Sequence, residues 1–245
     1  GVLPFDGYTT PKISFVLTAI WWLAFSIPMV KDVKQVHGIP REPNPVSNSF
    51  KRMARTVKNI QLHKPAFIFL IAYFFYIDGV DTIIKMATSY GSDLGVDSNT
   101  LLIILLVTQF VAFPSALVFG RLADRFKGKT MLYVAIAIYT GICIYAFFMK
   151  TTFDFWVLAI LVGLVQGGIQ AISRSYFAKL VPKENANEFF GFFNIFGKFA
   201  AIMGPAIVGY VTLLTGRSNY GVMSIVVLFI IGGLVLTKVQ PVSNK

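Results

Sequence analysis

The sequence predicts an all-α integral membrane protein with seven membrane-spanning helices. Three observations carry this expectation: an apolar composition, apolar stretches long enough to span a bilayer, and basic residues gathered between alternate stretches. Of 245 residues, 56% are hydrophobic and 13% charged, against about 25% charged in a soluble domain. So little polar surface cannot cover a soluble core of that size. Lipid cannot hydrogen-bond exposed backbone, and stretches of this length therefore cross it as helices.

The apolar stretches fall at about 13–30, 66–86, 101–120, 131–149, 155–174, 190–213 and 220–237. Each is close to the roughly 20 residues that cross a hydrocarbon core. The first has no basic region before it and no small-residue cleavage site after it, so it reads as a span and not as a signal peptide. Between it and the second lies the one long connection, 31–64. Pro40, Pro43 and Pro45 make its first part an extended linker. Its second part, 48–61, sets Phe50, Met53, Ala54, Val57 and Ile60 at helical spacing, with Lys51, Arg52, Arg55 and Lys58 elsewhere around the turn. Such an amphipathic helix suits an anionic cytoplasmic leaflet; a solvated linker helix is the alternative.

Spans two to seven follow with short connections, and charge orients them. Basic residues crowd 31–64, Arg121, Arg125, Lys127 and Lys129 fill the third-to-fourth connection, and Arg174, Lys179 and Lys183 follow the fifth span. Lys238 and Lys245 follow the seventh, while the opposite side holds only Lys12, Lys150 and Arg217. The positive-inside rule makes the first group cytoplasmic and the N-terminus external. An external start without a signal peptide predicts an odd number of spans ahead of it.

The net charge of +11 thus belongs to membrane topology. Nucleic-acid binding is excluded, because no recognition motif accompanies it. Cys143 is the single cysteine, and His37 and His63 sit in polar stretches, so neither a disulfide nor a metal cluster is expected. No Ser–His set and no carboxylate pair beside a histidine is present. The sequence predicts no enzyme and no cofactor.

Ionisable groups inside spans are costly and usually face a bundle interior or a cavity. Here Asp78, Asp81 and Lys85 lie on span two, Gln109 on span three, Gln166 and Gln170 on span five, and Asn194 and Lys198 on span six. Spans one, four and seven hold no charge or amide. The pattern predicts that two, three, five and six line something polar while one, four and seven face lipid. Spacing puts Asp78, Asp81 and Lys85 on one face, and likewise Gln166 with Gln170 and Asn194 with Lys198. Gln109, Gln166 and Lys198 lie about 12–16 Å from a span end, near the bilayer midplane.

Several readings stay open at these positions. Asp81 and Lys85 belong to a polar site or form a structural pair, with Lys85 snorkelling outward. One lysine cannot neutralise two carboxylates, which leaves Asp78 to pair with Lys198, bind a cation or carry a proton. Gln166 and Gln170 face a solute or hydrogen-bond between helices. Gly163, Gly167 and Gly168 beside them fit close helix approach and an open site equally well.

Two connections carry a family resemblance. The run from Gly120 through Arg121, Leu122, Ala123, Asp124, Arg125, Phe126, Lys127 and Gly128 to Lys129 resembles the major facilitator signature loop, G-x-L-a-D-R-x-G-R/K. One residue is extra between the arginine and the second glycine. The segment 197–209, with Gly204-Pro205, resembles that superfamily's glycine–proline helix motif. Tyr76-Ile77-Asp78-Gly79-Val80-Asp81-Thr82, the run from Gly163 to Tyr176, and Phe190-Gly191 are similar to the vacuole-effluxer-like family. Its eukaryotic members are similar to vacuolar amino-acid exporters. The resemblance covers most of the chain from about Ala19.

The resemblance implies the C-terminal half of a twelve-span transporter. Residues 1–30 would be an external segment and the helix equivalent to the sixth, 31–64 the central cytoplasmic loop, and 65–245 the C-terminal six-helix domain. In that superfamily the helices matching spans two and five line the central cavity and three and six flank it, the grouping that polarity suggests. Gly120, Asp124, Arg125 and Gly128 would form a cytoplasmic gate, with Asp124 pairing with Arg125 or Arg121 and latching a helix end of the other half. A plain positive-inside turn is the alternative.

The expected function is alternating-access transport of a small polar solute, amino acids by resemblance, as symport or antiport. The expected solute and ion contacts are Asp78, Asp81, Gln109, Gln166, Gln170, Asn194 and Lys198, with Asp78 first for proton or cation coupling. Expected partners are membrane lipid, an N-terminal transporter half, the solute and a proton or cation. A seven-helix receptor or retinal protein is the rival, although Lys238 sits at the end of its helix where a retinal lysine would lie deep inside. Short external loops without an Asn-x-Ser/Thr acceptor lean to a bacterial inner membrane, with a vacuolar or lysosomal membrane as the alternative.

Overall fold

The computed structural model describes residues 9–33, 63–182 and 186–240, apart from the side chains of residues 9–11 and Asp124. The amphipathic stretch 48–61 and most of the 31–64 connection therefore lie outside the described residues. The regular elements are all helices: α1 (Thr9–Asp32), α2 (Lys64–Asp93), α3 (Ser98–Arg125), α4 (Gly128–Phe148), α5 (Thr152–Leu180), α6 (Ala186–Thr215), α7 (Ser218–Ser224) and α8 (Val226–Thr237). Among the described residues seven segments are long and apolar enough to cross a membrane, with α7 and α8 together making the seventh.

The chain divides into two compact units, Gly1–Ser49 and Phe50–Lys245. The first holds α1, which exposes Phe15, Trp21, Trp22 and Phe25 among its large apolar side chains. Its hydroxyls turn back on their own helix, Thr18 Oγ1 donating to the Ser14 carbonyl at 2.8 Å and Ser26 Oγ to Trp22 at 2.7 Å. That satisfies polar groups which lipid cannot.

The second unit holds α2 to α8, and its helix ends follow from local chemistry. Pro65 opens α2 where a missing N–H costs nothing. Thr151 and Asp154 form a capping box at α5, Asp154 N donating to Thr151 Oγ1 at 3.2 Å and Thr151 N to Asp154 Oδ2 at 3.0 Å. Asp97 caps α3, accepting from the backbone N–H groups of Asn99 and Thr100 at 3.0 and 3.1 Å. The Thr100 hydroxyl above all, with these N–H groups, holds the Asp97 carboxyl below the usual carboxylate range. The cap therefore stabilises α3 above the ordinary carboxylate range and fades as pH falls through that lowered value. Several helices run past the apolar stretches, most visibly α2, which continues to Asp93 and closes with the Leu94 N–H on the Tyr90 carbonyl at 3.1 Å.

Within the second unit successive spanning segments run antiparallel, α7 and α8 together counting as one segment. At one end, rich in basic residues, His63 packs edge-on against Phe189 with ring centroids 5.4 Å apart. There Lys129 Nζ also donates to the Thr237 and Val239 carbonyls at 3.1 and 2.7 Å, tying the start of α4 to the end of α8. At the other end Tyr90 donates to the Ala146 carbonyl at 2.6 Å, and Ser218 Oγ bonds Asp93.

Helix α2 is the hub, with Phe69, Leu70, Tyr76 and Val80 fully buried. Tyr76 donates to Ser173 Oγ at 2.7 Å, and Ser173 passes its own proton to the Ile169 carbonyl at 2.6 Å, which locks α2 to α5. Tyr76→Phe should lower thermostability by about 1–3 kcal/mol, because it leaves buried Ser173 without this donor; detergent melting curves measure it. Helices α3 and α5 meet backbone to backbone at two glycines and pack a ring against a third. A Cβ on Gly163 would stand 2.8 Å from the Thr108 carbonyl, one on Gly167 3.0 Å from that of Ala112, and one on Gly168 inside the Phe119 ring.

One expectation changes here. Spans four and seven were expected to face lipid; instead α4 and α8 back onto α2, with Tyr139 and Phe229 both buried and stacked at 5.5 Å. Only their outer sides, including Val134, Ile144, Val227 and Leu234, are exposed. Lack of polar residues says that a helix avoids water, and an apolar neighbour meets that need as well as lipid does. Helices α3 and α6 expose larger side chains, Phe110, Phe113, Phe199 and Leu213 among them.

Candidate functional site

A cavity of about 510 Å³ opens among α2, α5 and α6. Helix α2 contributes Tyr73, Ile77 and Asp81, α5 contributes Gly167, Gln170, Ala171 and Arg174, and α6 contributes Phe193, Asn194, Gly197 and Lys198. Periodicity accounts for the lining: 73, 77 and 81 are one stripe, as are 167, 170, 171 and 174, and 194, 197 and 198. Tyr73 stacks on Phe193 with centroids 4.1 Å apart, which fixes the α2–α6 spacing at the basic end. The missing Cβ of Gly197 leaves the Tyr73 hydroxyl room, at 3.1 Å from where that carbon would stand.

Charges of both signs meet in this cavity. Asp81 is half-buried and lines the cavity together with Lys198. Arg174 is exposed to the cavity, with its guanidinium 5.4 Å above the Phe190 ring. That contact holds a planar cation in place without neutralising it. Two cations, one anion, two amides and a phenol from three helices can bind a small polar molecule of mixed charge.

Of the residues singled out from sequence, Asp81, Gln170, Asn194 and Lys198 come together here. Gln109 and Gln166 do not. They border a separate apolar cavity of about 30 Å³ among α2, α3 and α5, with Ile83, Leu105 and Phe155. Gln166 Oε1 is buried there without a hydrogen bond among the described residues.

Asp78 also stands off the cavity. It is fully buried in the α2–α6 seam, where the Gly204 backbone N–H donates to Oδ1 at 2.9 Å and Thr82 Oγ1 donates to the same oxygen at 3.5 Å. Its Oδ2 has no partner among the described residues. The pairing of Asp78 with Lys198 is therefore not formed; the lysine shares the cavity with Asp81 instead. Three residues along a helix leave a rotation of about 60°, enough to carry one carboxylate into the seam and the other into the cavity. The approach depends on Gly204, because a Cβ there would overlap Thr82 Oγ1 and lie 2.8 Å from Asp78 Oδ1. Gly204 precedes Pro205 inside α6, where the ring removes one intrahelical hydrogen bond.

The signature loop forms the tight α3–α4 hairpin. Phe126 N–H closes α3 on the Leu122 carbonyl at 2.8 Å, and α4 begins at Gly128, where a Cβ would stand 3.2 Å from Tyr176. Gly120 and Arg125 lie on α3, and the Asp124 side chain lies outside the described residues.

Sequence reasoning missed Tyr73 and Arg174. Both were legible in spacing: Arg174 follows Gln170 by four residues, and Tyr73 precedes Asp81 by eight. Arg174 was counted with the connection after span five, whereas α5 continues to Leu180.

Comparison with known proteins agrees with this architecture. The model of the family described as vacuole effluxer Atg22 like matches residues 5–244. The uncharacterized MFS-type transporter YxiO of Bacillus subtilis (strain 168) is 58% identical over 234 residues, covering 96% of this chain and 55% of that protein. Autophagy-related protein 22 of Saccharomyces cerevisiae (strain ATCC 204508 / S288c) is 28% identical over 246 residues, covering 85% and 46%. That of Cryptococcus neoformans (strain B-3501A) is 26% identical over 250 residues, covering 93% and 46%. The chain thus spans about half the length of the curated relatives it matches. These matches set aside the receptor and retinal-protein readings. The chain belongs to the vacuole effluxer Atg22-like family of MFS-type, multi-pass membrane transporters.

Proposed function

We propose that the α2–α5–α6 cavity is one half of a solute path, and that the chain is the C-terminal half of a secondary transporter working by alternating access. The observation that supports this most directly is the meeting of Asp81, Gln170, Arg174, Asn194 and Lys198 in one cavity of a unit whose surface is otherwise largely apolar. Moving a solute past such groups requires a second wall, which an N-terminal half would supply by rocking against this one. In this reading 1–30 holds the sixth helix, 31–64 the central loop and 65–245 the transport domain, with the basic end cytoplasmic. A bacterial inner membrane fits the kinship with the Bacillus subtilis relative.

The solute class is zwitterionic, with amino acids as its simplest members. Asp81 suits an ammonium group, while Arg174 and Lys198 suit a carboxylate. Asp78 is the position for coupling to a proton or cation, because its charge is buried beside a proline break and away from the solute. Gln109 and Gln166 bear on the path through the α2–α3–α5 packing. The latch at Gly120, Asp124, Arg125 and Gly128 closes the cytoplasmic side.

Counterflow by the complete transporter in proteoliposomes tests this reading. Wild-type protein should favour a free amino acid over its amide. Arg174→Gln should raise KM for the free acid about tenfold and erase that preference, at unchanged thermostability, since a charge-assisted hydrogen bond contributes about 1.5–3 kcal/mol. An unchanged KM and preference would remove Arg174 from the site.

A further inference from the structure

The face of α3 turned away from the solute cavity carries a second, apolar groove of about 810 Å³. Phe110, Pro114 and Val118 of α3 form one wall, Ile138 of α4 the other, and Leu161 and Leu164 of α5 the floor. At 1.5 Å per residue the wall from Phe110 to Val118 is about 12 Å long, close to the depth of one leaflet, half of a core about 30 Å thick. At 100° per residue Arg121 falls within about 20° of Phe110 and Pro114 around α3, and Arg125 within about 20° of Pro114 and Val118. The apolar stripe therefore runs straight into two exposed arginines, with Lys127 exposed in the hairpin beyond. Among the described residues no carboxylate pairs with any of the three, although Asp124 in the same turn offsets one charge of the sequence. Lys127 precedes α4 without a side-chain cap, so its ammonium is not tied to that helix end.

We infer that this groove holds an anionic phospholipid of the leaflet at the basic end, one acyl chain lying along α3 between α4 and α5 and the phosphate meeting Arg121 and Arg125. A lipid satisfies both halves of the arrangement. Its chain matches a groove one leaflet deep, and its phosphate sits where the cations reach headgroup level. A neutral lipid would fill the groove equally well but would forgo the charge attraction.

Native mass spectrometry of the complete transporter tests the assignment, after titration with dioleoylphosphatidylglycerol or dioleoylphosphatidylcholine. Wild-type protein should retain one phosphatidylglycerol in clear preference to phosphatidylcholine. Arg121→Gln and Arg125→Gln should each weaken that retention roughly fivefold, the double variant approaching the phosphatidylcholine level. Leu164→Trp fills the groove floor without changing charge and should lose both lipids, with a melting curve in plain detergent confirming that it folds. Equal retention of the two lipids by wild type would overturn the inference, as would retention indifferent to both changes. Absence of any retained lipid would overturn it too, since protein from the rest of the transporter would then cover the groove.

Discussion

Lys198→Met in the complete transporter should slow solute counterflow by about 10- to 100-fold, and Asp81→Asn should do the same. A hydrogen bond to a charged group contributes about 1.5–3 kcal/mol, and each variant removes one such contact with a zwitterionic solute. The double variant tells two roles apart. If Asp81 and Lys198 hold opposite ends of the solute, the pair of changes is at least as damaging as either alone. If they only balance each other's charge, the double variant regains much of the lost rate. Initial counterflow rates for the four proteins decide the matter. Wild-type rates in both single variants would remove the cavity from the solute path.

Gly204→Ala should be the most destabilising single-atom addition in the second unit. Its Cβ has no space between Thr82 and Asp78, so α2 and α6 must part. Overpacking costs about 1–3 kcal/mol and the lost bond to a buried carboxylate about 1.5–3 kcal/mol, together about 2.5–6 kcal/mol. Adding Thr82→Ala removes the closest oxygen and should return part of this. Asp78→Asn behaves differently, because an amide oxygen still accepts from Gly204. Its melting temperature should stay close to wild type while uphill accumulation is lost, if Asp78 carries the coupling charge. Detergent melting beside gradient-driven uptake separates the two variants. A Gly204→Ala protein as stable as wild type would show that the seam is looser than its geometry requires.

Much of this was legible before any coordinates. Seven apolar stretches became seven spanning segments, and Asp81, Gln170, Asn194 and Lys198 converge on one cavity because polarity and helical spacing together restrict where such groups can face. Asp78 was harder to read, since residues three apart share a face only loosely and the neighbour that claims Asp78 is a backbone N–H. Sequence patterns do not advertise a backbone donor. Gly204-Pro205 was noticed as a motif, but nothing along the chain says that α2 is what the glycine admits. Gln109 and Gln166 show the limit of the polarity rule, as a single amide can lie in an apolar seam. The roles of α4 and α8 were obscured for the opposite reason, because an apolar surface is silent about whether protein or lipid covers it.

The Lys129 ammonium has a practical bearing on how this protein can be handled. It is held by the carbonyls of Thr237 and Val239, and Val239 is only 1% exposed. The last turn of α8 is thus fastened to a lysine far earlier in the chain, and the fastening needs backbone two residues past the helix itself. A purification tag or fluorescent fusion joined after Gln240 keeps both acceptors. A truncation at Thr237, where helical structure ends, would discard one of them and unpin the start of α4.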